Sequence, residues 1–134
     1  MSIIQKTIRL SGIHGESDEP ALFDSGASYS CINPEIAKQL DVVLQLPKPM
    51  TFGTAKNGDT LTATEGVRLD FYIGEYRFSD EFILIPDLSE HVIIGATTMQ
   101  KWRMKLDFEH DDVILDPRVT KLRLLSIHLF APRP

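Results

Sequence analysis

Residues 21–27 read Ala21-Leu22-Phe23-Asp24-Ser25-Gly26-Ala27: three apolar residues, one carboxylate and a turn. The apolar run has the length of a short buried strand, and it delivers the chain directly to Asp24. A carboxylate set just after a buried strand is costly unless it is hydrogen-bonded or used in chemistry. Gly26 lets the backbone turn tightly and lets another segment come close, and Ser25 offers a hydroxyl to brace the turn. Asp-Ser-Gly alone is an ordinary turn sequence; its setting marks it.

Short alternating segments surround this stretch. Ile4, Lys6, Ile8 and Leu10 share one parity and Gln5, Thr7 and Arg9 the other, which predicts a half-buried strand. Gly12 to Pro20, with Gly15, Ser17 and Asp18, is expected to be a hairpin loop. Asn33 as N-cap and Pro34 at the first helical position predict a helix to Leu40, with Ile36, Ala37 and Leu40 on one face. Val42 to Pro49 cannot continue it, because β-branched residues and two prolines follow. Thr51 to Thr64 reads as a hairpin around Asn57-Gly58. Val67, Leu69, Phe71 and Ile73 alternate with polar positions, Gly74-Glu75 forms a second tight turn, and Phe78 and Phe82 to Ile85 follow. Val92-Ile93-Ile94-Gly95 is another buried strand. Ala96 to Arg103 suits a short helix packing Met99 and Trp102 inward, and Met104 to Phe108 with Val113 to Leu115 makes a last hairpin across His110-Asp111. The sum is an all-β single domain with two short helices.

Composition sets the outer bounds. At 134 residues, 43% hydrophobic and 25% charged, the chain suits one soluble globular domain. A net charge of -5 argues against a general nucleic-acid or anionic-membrane binder. Cys31 is the only cysteine, so no internal disulfide can form, which suits a reducing compartment. Met1 to Leu10 lacks a signal-peptide apolar block, and no stretch approaches the roughly 18 apolar residues of a membrane span. A cytoplasmic, free-standing protein is expected.

Other chemistries find little footing. His14, His91, His110 and His128 have no ligand spacing, so neither metal nor cofactor is expected. Cys31 reads as a small core residue rather than a nucleophile. In Gly26-Ala27-Ser28-Tyr29-Ser30, Ser30 occupies the place of the final glycine of a nucleophile elbow. Gly53 to Gly58 lacks the Lys-Ser/Thr of a phosphate loop. Asp107, Asp111, Asp112 and Asp116 read as hairpin-turn and surface charges, as does the Glu16-Asp18-Glu19 cluster.

With these residues in view, the chain resembles the retropepsin-like aspartic proteases. Ile8-x-Leu10 through Asp24-Ser25-Gly26-Ala27 is similar to the family's N-terminal hairpin and catalytic turn. Val92-Ile93-Ile94-Gly95, with Gly95 lying 71 positions after Asp24, resembles its second signature, an apolar pair and a glycine before a helix. Phe52 to Leu61 sits where the family has its flap. The helix at Pro34 to Leu40 makes the chain closer to bacterial and cellular members, including the DNA-damage-inducible type, than to compact viral enzymes. The resemblance spans roughly residues 4–116.

The resemblance implies an acid-protease fold over residues 1–117 and an aspartic endopeptidase acting on a peptide or protein. Asp24 would be the catalytic aspartate. Ser25 would brace the turn across a two-fold axis, Gly26 would allow close contact and bond substrate backbone, and Ala27 would line the cleft floor. Ile94 and Gly95 would support the turn from beneath. Lys56, Asn57, Gly58 and Asp59 would form the flap tip. A dimeric peptide-binding or scaffold module of the same shape, without turnover, is the alternative.

That chemistry needs two carboxylates, one to activate water and one, protonated, to polarise the scissile carbonyl. Asp-Ser-Gly or Asp-Thr-Gly occurs only at residues 24–26, so the reading requires a homodimer. Two carboxylates about 3 Å apart repel by roughly 5 kcal/mol at an effective dielectric near 20 if both ionise, so the pair holds one shared proton across the mildly acidic range.

Residues 118–134 form an apolar tail with Leu122, Leu124, Leu125, Ile127 and Leu129. Their parity switches between Leu124 and Leu125, as in a bulged strand, while Leu122, Leu125 and Leu129 share a helical face. An extra strand on the chain's own sheet and a dimer-interface element both fit.

Overall fold

The computed structural model describes residues 3–54 and 58–122. Strand β1 (Ile3–Gly12) runs antiparallel to β2 (Gly15–Asp24), in register from Ile3↔Asp24 to Gly12↔Gly15. Ile4, Ile8 and Leu10 point into the core, as their parity predicts. The expected loop at 12–20 is much shorter, however. Only Ile13 and His14 separate the strands, and Glu16 to Pro20 continue the ladder. These polar residues sit on a largely exposed ribbon, where backbone pairing rather than apolar burial fixes the strand.

Strand β3 (Cys31–Ile32) leads into helix α1 (Pro34–Leu40). The helix starts where its cap predicts: Asn33 Oδ1 accepts a 2.9 Å hydrogen bond from the Glu35 N–H. Ala37 and Leu40 face the core. Strand β4 (Leu44–Gly53) pairs with β5 (Thr60–Ile73) at both ends, with an irregularity between Gln45 and Met50. Pro47 and Pro49 lie in that gap, where their missing N–H groups cannot serve the ladder. The hairpin thus begins seven residues before the expected Thr51. Strand β5 then turns at Gly74 (φ 60°) into β6 (Tyr76–Leu84).

Strand β7 (Val92–Ile94) runs parallel to β2 and antiparallel to β3, and β3 runs parallel to β6. Because β1 also pairs with β5, six strands close in the order β1-β2-β7-β3-β6-β5, with β4 outside. Such a closed barrel of short strands is what the resemblance implies. Phe23, Phe71, Phe78 and Phe82 are fully buried inside it. Burying each large side chain contributes roughly 1.5–3 kcal/mol.

Helix α2 (Ala96–Lys101) packs Met99 inward, and Trp102 follows with its indole N–H on the Ser79 carbonyl at 3.1 Å. A separate two-stranded sheet follows, β8 (Lys105–Asp107) with β9 (Asp112–Ile114). The second strand starts and ends one residue earlier than expected. At the start of the tail, Pro117–Thr120 is a 3-10 turn capped by Asp116, not a strand. The tail's Leu124, Leu125, Ile127 and Leu129 lie outside the described residues. No helix among the described residues is long and apolar enough to cross a membrane.

Candidate active site

Strand β2 carries Asp24 as its last residue, beside buried Phe23. The turn begins there. The Gly26 N–H donates to Asp24 Oδ1 at 2.8 Å, and the Ala27 N–H donates to the Asp24 carbonyl at 3.1 Å. One carboxylate oxygen is therefore fixed by the backbone. Asp24 is half-buried, whereas Ser25 and Gly26 are exposed.

The loop 25–30 rests on the start of α2. Gly95 meets it first: a Cβ there would lie 2.5 Å from both Tyr29 carbonyl atoms and 2.9 Å from the Ala27 oxygen. Any side chain would force the two backbones apart. The Ala96 N–H donates to the Ala27 carbonyl at 2.7 Å, and the Thr97 N–H to that of Ser28 at 3.2 Å. Ile94 is fully buried and pairs with Phe23, the residue before Asp24. Two further residues, which no sequence motif marks, join this contact. Ser30 Oγ accepts from the Gly95 N–H at 3.0 Å and lies 2.6 Å from Thr98 Oγ1. In the sequence Ser30 stands only as a mismatch to a nucleophile elbow, and nothing in the pattern marks Thr98.

A groove of about 400 Å³ opens beside the turn. Gly26, Ala27 and Tyr29 line it together with Met50 and Phe52 of β4 and with Ile85 and Ile93. Tyr29 meets Phe52 edge-on, with ring centroids 6.2 Å apart. No charged side chain lines this groove among the described residues, so an apolar guest loses little on entering. Cys31 also lines it; burial pushes its thiol up to about 11, which keeps it protonated and poorly nucleophilic.

Of the expected flap residues, Lys56 and Asn57 lie outside the described residues. Gly58 has φ 73°, a conformation suited to glycine, and Asp59 is exposed with its carbonyl accepting from the Thr54 N–H at 3.1 Å. That bond closes the hairpin end. On the other side of the turn, Ser25 borders a second hollow of about 350 Å³ walled by Ala96, Met99, Met104, Leu106 and Phe108. Phe108 is 56% exposed there. Among the described residues, no three His, Cys, Asp or Glu side chains stand where they could hold a metal ion.

The aspartyl protease family model matches residues 9–98, from β1 through the Asp24 turn to Thr98 in α2. The chain belongs to the aspartyl protease family. Among solved structures, this family member is similar to the retroviral protease-like domain of Ddi1 from Leishmania major. The two share 18% identity at a TM-score of 0.61, over 87% of this chain and 90% of that one. At that identity the likeness speaks for the fold. No curated protein sequence matches the chain.

Proposed function

We propose that the protein is an aspartic endopeptidase whose dyad is two copies of Asp24, one from each subunit of a two-fold homodimer. The observation that carries this reading is the Asp24 turn. A single carboxylate follows buried Phe23 at the end of β2, has one oxygen held by the Gly26 N–H, and stands where an apolar groove begins two residues later. One copy alone cannot both activate water and donate a proton to the carbonyl, so the second must come from a partner.

The face around Ser25 supports that assembly. The two Asp24 turns must meet on the two-fold axis, so the surface bordering Ser25 becomes the interface. Leu106 and Phe108 lie there, on and just beyond a two-stranded sheet separate from the barrel. The substrate is an extended peptide or protein segment, held under the β4–β5 hairpin, with apolar side chains in the uncharged groove. Ser25 and Gly26 act in bracing the turn and binding substrate backbone, and the 118–134 tail adds to the interface or to the chain's own sheet.

Digestion of a peptide library by the wild type and Asp24→Asn tests the reading. Cleavage that favours mildly acidic pH and vanishes in the variant is expected, because the dyad works while it retains its shared proton. A wild type that cleaves nothing between about pH 3 and 7, an equally active variant, or a rate still rising above about pH 8 overturns it.

A further inference from the structure

Ser30 and Thr98 are each 1% exposed, and a hydroxyl buried this deeply is costly unless it is partnered. They partner each other at 2.6 Å, and Ser30 Oγ also accepts the Gly95 N–H. We infer that Ser30 and Thr98 are positioning residues that set the place of the Asp24 carboxylate by locking the start of α2 to the catalytic loop. This rests on the endopeptidase reading.

The route is a continuous set of hydrogen bonds. The first N–H groups of a helix have no partner within it. Here Gly95, Ala96 and Thr97 all spend theirs on one loop, reaching Ser30 Oγ, the Ala27 carbonyl and the Ser28 carbonyl. Thr97 Oγ1 adds a second bond to the Ser28 carbonyl at 2.8 Å. Ala27 in turn is bonded to Asp24 through its own N–H. A movement of α2 therefore reaches Asp24 through two short steps. Ser30 is the side-chain end of this arrangement. Its own carbonyl is anchored to β6 by the Ile83 N–H at 3.0 Å, so the lock is tied to the barrel.

A dyad that shares a proton tolerates little displacement, and an error of about 1 Å in a reacting group can cost on the order of 100-fold in rate. Ser30→Ala and Thr98→Val (close in shape, without the hydroxyl) are expected to lower kcat by about 10- to 100-fold and leave KM within about threefold. Thr98→Ser, which keeps the hydroxyl, should return kcat to within about threefold of wild type. Kinetics are read on the best library peptide well below each variant's unfolding midpoint. Amide exchange gives a readout independent of activity: Ser30→Ala should speed exchange at Gly95, Ala96 and Thr97 by at least about tenfold and leave β5 and β6 unchanged. A folded Ser30→Ala with wild-type kcat, a Thr98→Ser as slow as Thr98→Val, or unchanged exchange at Gly95 overturns the inference. A wild type that cleaves nothing sinks the endopeptidase reading instead, and the exchange experiment still decides whether Ser30 holds α2.

Discussion

Replacing Gly95 with alanine isolates the contact between α2 and the loop 25–30. The residue has φ -95° and ψ 178°, which alanine adopts without strain, so any effect comes from space alone. The new methyl would lie 2.5 Å from the Tyr29 carbonyl carbon and oxygen and 2.9 Å from the Ala27 oxygen, all backbone atoms with no rotamer to change. Relief to 3.4 Å requires the helix to retreat by about 0.9 Å. The Ala96 and Thr97 bonds, now 2.7 and 3.2 Å, would then exceed useful length. Overpacking costs roughly 1–3 kcal/mol and each of the two lost bonds roughly 0.5–1.5, so the expected destabilisation is about 2–6 kcal/mol. For a domain of this size the unfolding midpoint should fall on the order of 10 °C. Urea denaturation monitored by Trp102 fluorescence measures it, with Gly53→Ala, whose Cβ meets nothing within 4 Å, as control. A Gly95→Ala loss below about 0.5 kcal/mol, or one matched by the control, refutes the reasoning.

Three other outcomes follow from particular residues. If each working site needs two intact Asp24 carboxylates, an equal mixture of wild type and Asp24→Asn, exchanged at constant total protein, retains about one quarter of the activity; one half would mean that chains act alone. Cys31, with its thiol pushed up to about 11 by burial, should react with iodoacetamide at about pH 8 roughly 200-fold more slowly than free cysteine, and complete labelling within minutes would contradict this. The Arg118 guanidinium, hydrogen-bonded to both Asp116 oxygens, holds that half-buried carboxyl down at about 2. A lowered folded value means that the pair's contribution is present above the ordinary carboxylate range and lost as pH falls toward 2. In Arg118→Ala, the Asp116 carboxyl should titrate higher by carbon NMR but stay below the ordinary carboxylate range, because the backbone N–H of residue 118 still donates to it at 3.0 Å; a titration unmoved by the substitution would assign the shift to another group.

Where sequence decided the fold, burial or capping chemistry left a periodic trace. The Ile4-Ile8-Leu10 parity, the Asn33-Pro34 start of α1 and the apolar Val92 to Ile94 each report the same physics that the structure uses. The misreadings have physical causes as well. Glu16 to Pro20 look like a loop because an exposed ribbon needs no apolar face, only a partner for its backbone. The start of β4 was obscured by Pro47 and Pro49, which interrupt its ladder without ending the strand. At the candidate site, Asp24 and Gly95 stand out by type and position. Ser30 and Thr98 do not, because their pairing across 68 residues exists only after folding.

The parallel pairing of β2 with β7 also orders events in time. Leu22 lies opposite Ile93, a separation of 71 residues, and such distant pairings form slowly because the intervening loop must close first. On a ribosome, the Asp24 turn emerges long before Gly95, Ala96 and Thr97 exist to hold it. The local β1–β2 and β5–β6 hairpins can form as they are made, while the Asp24 loop must wait for the last third of the chain. The Asp24 loop of a nascent chain thus stays unsupported until the barrel closes.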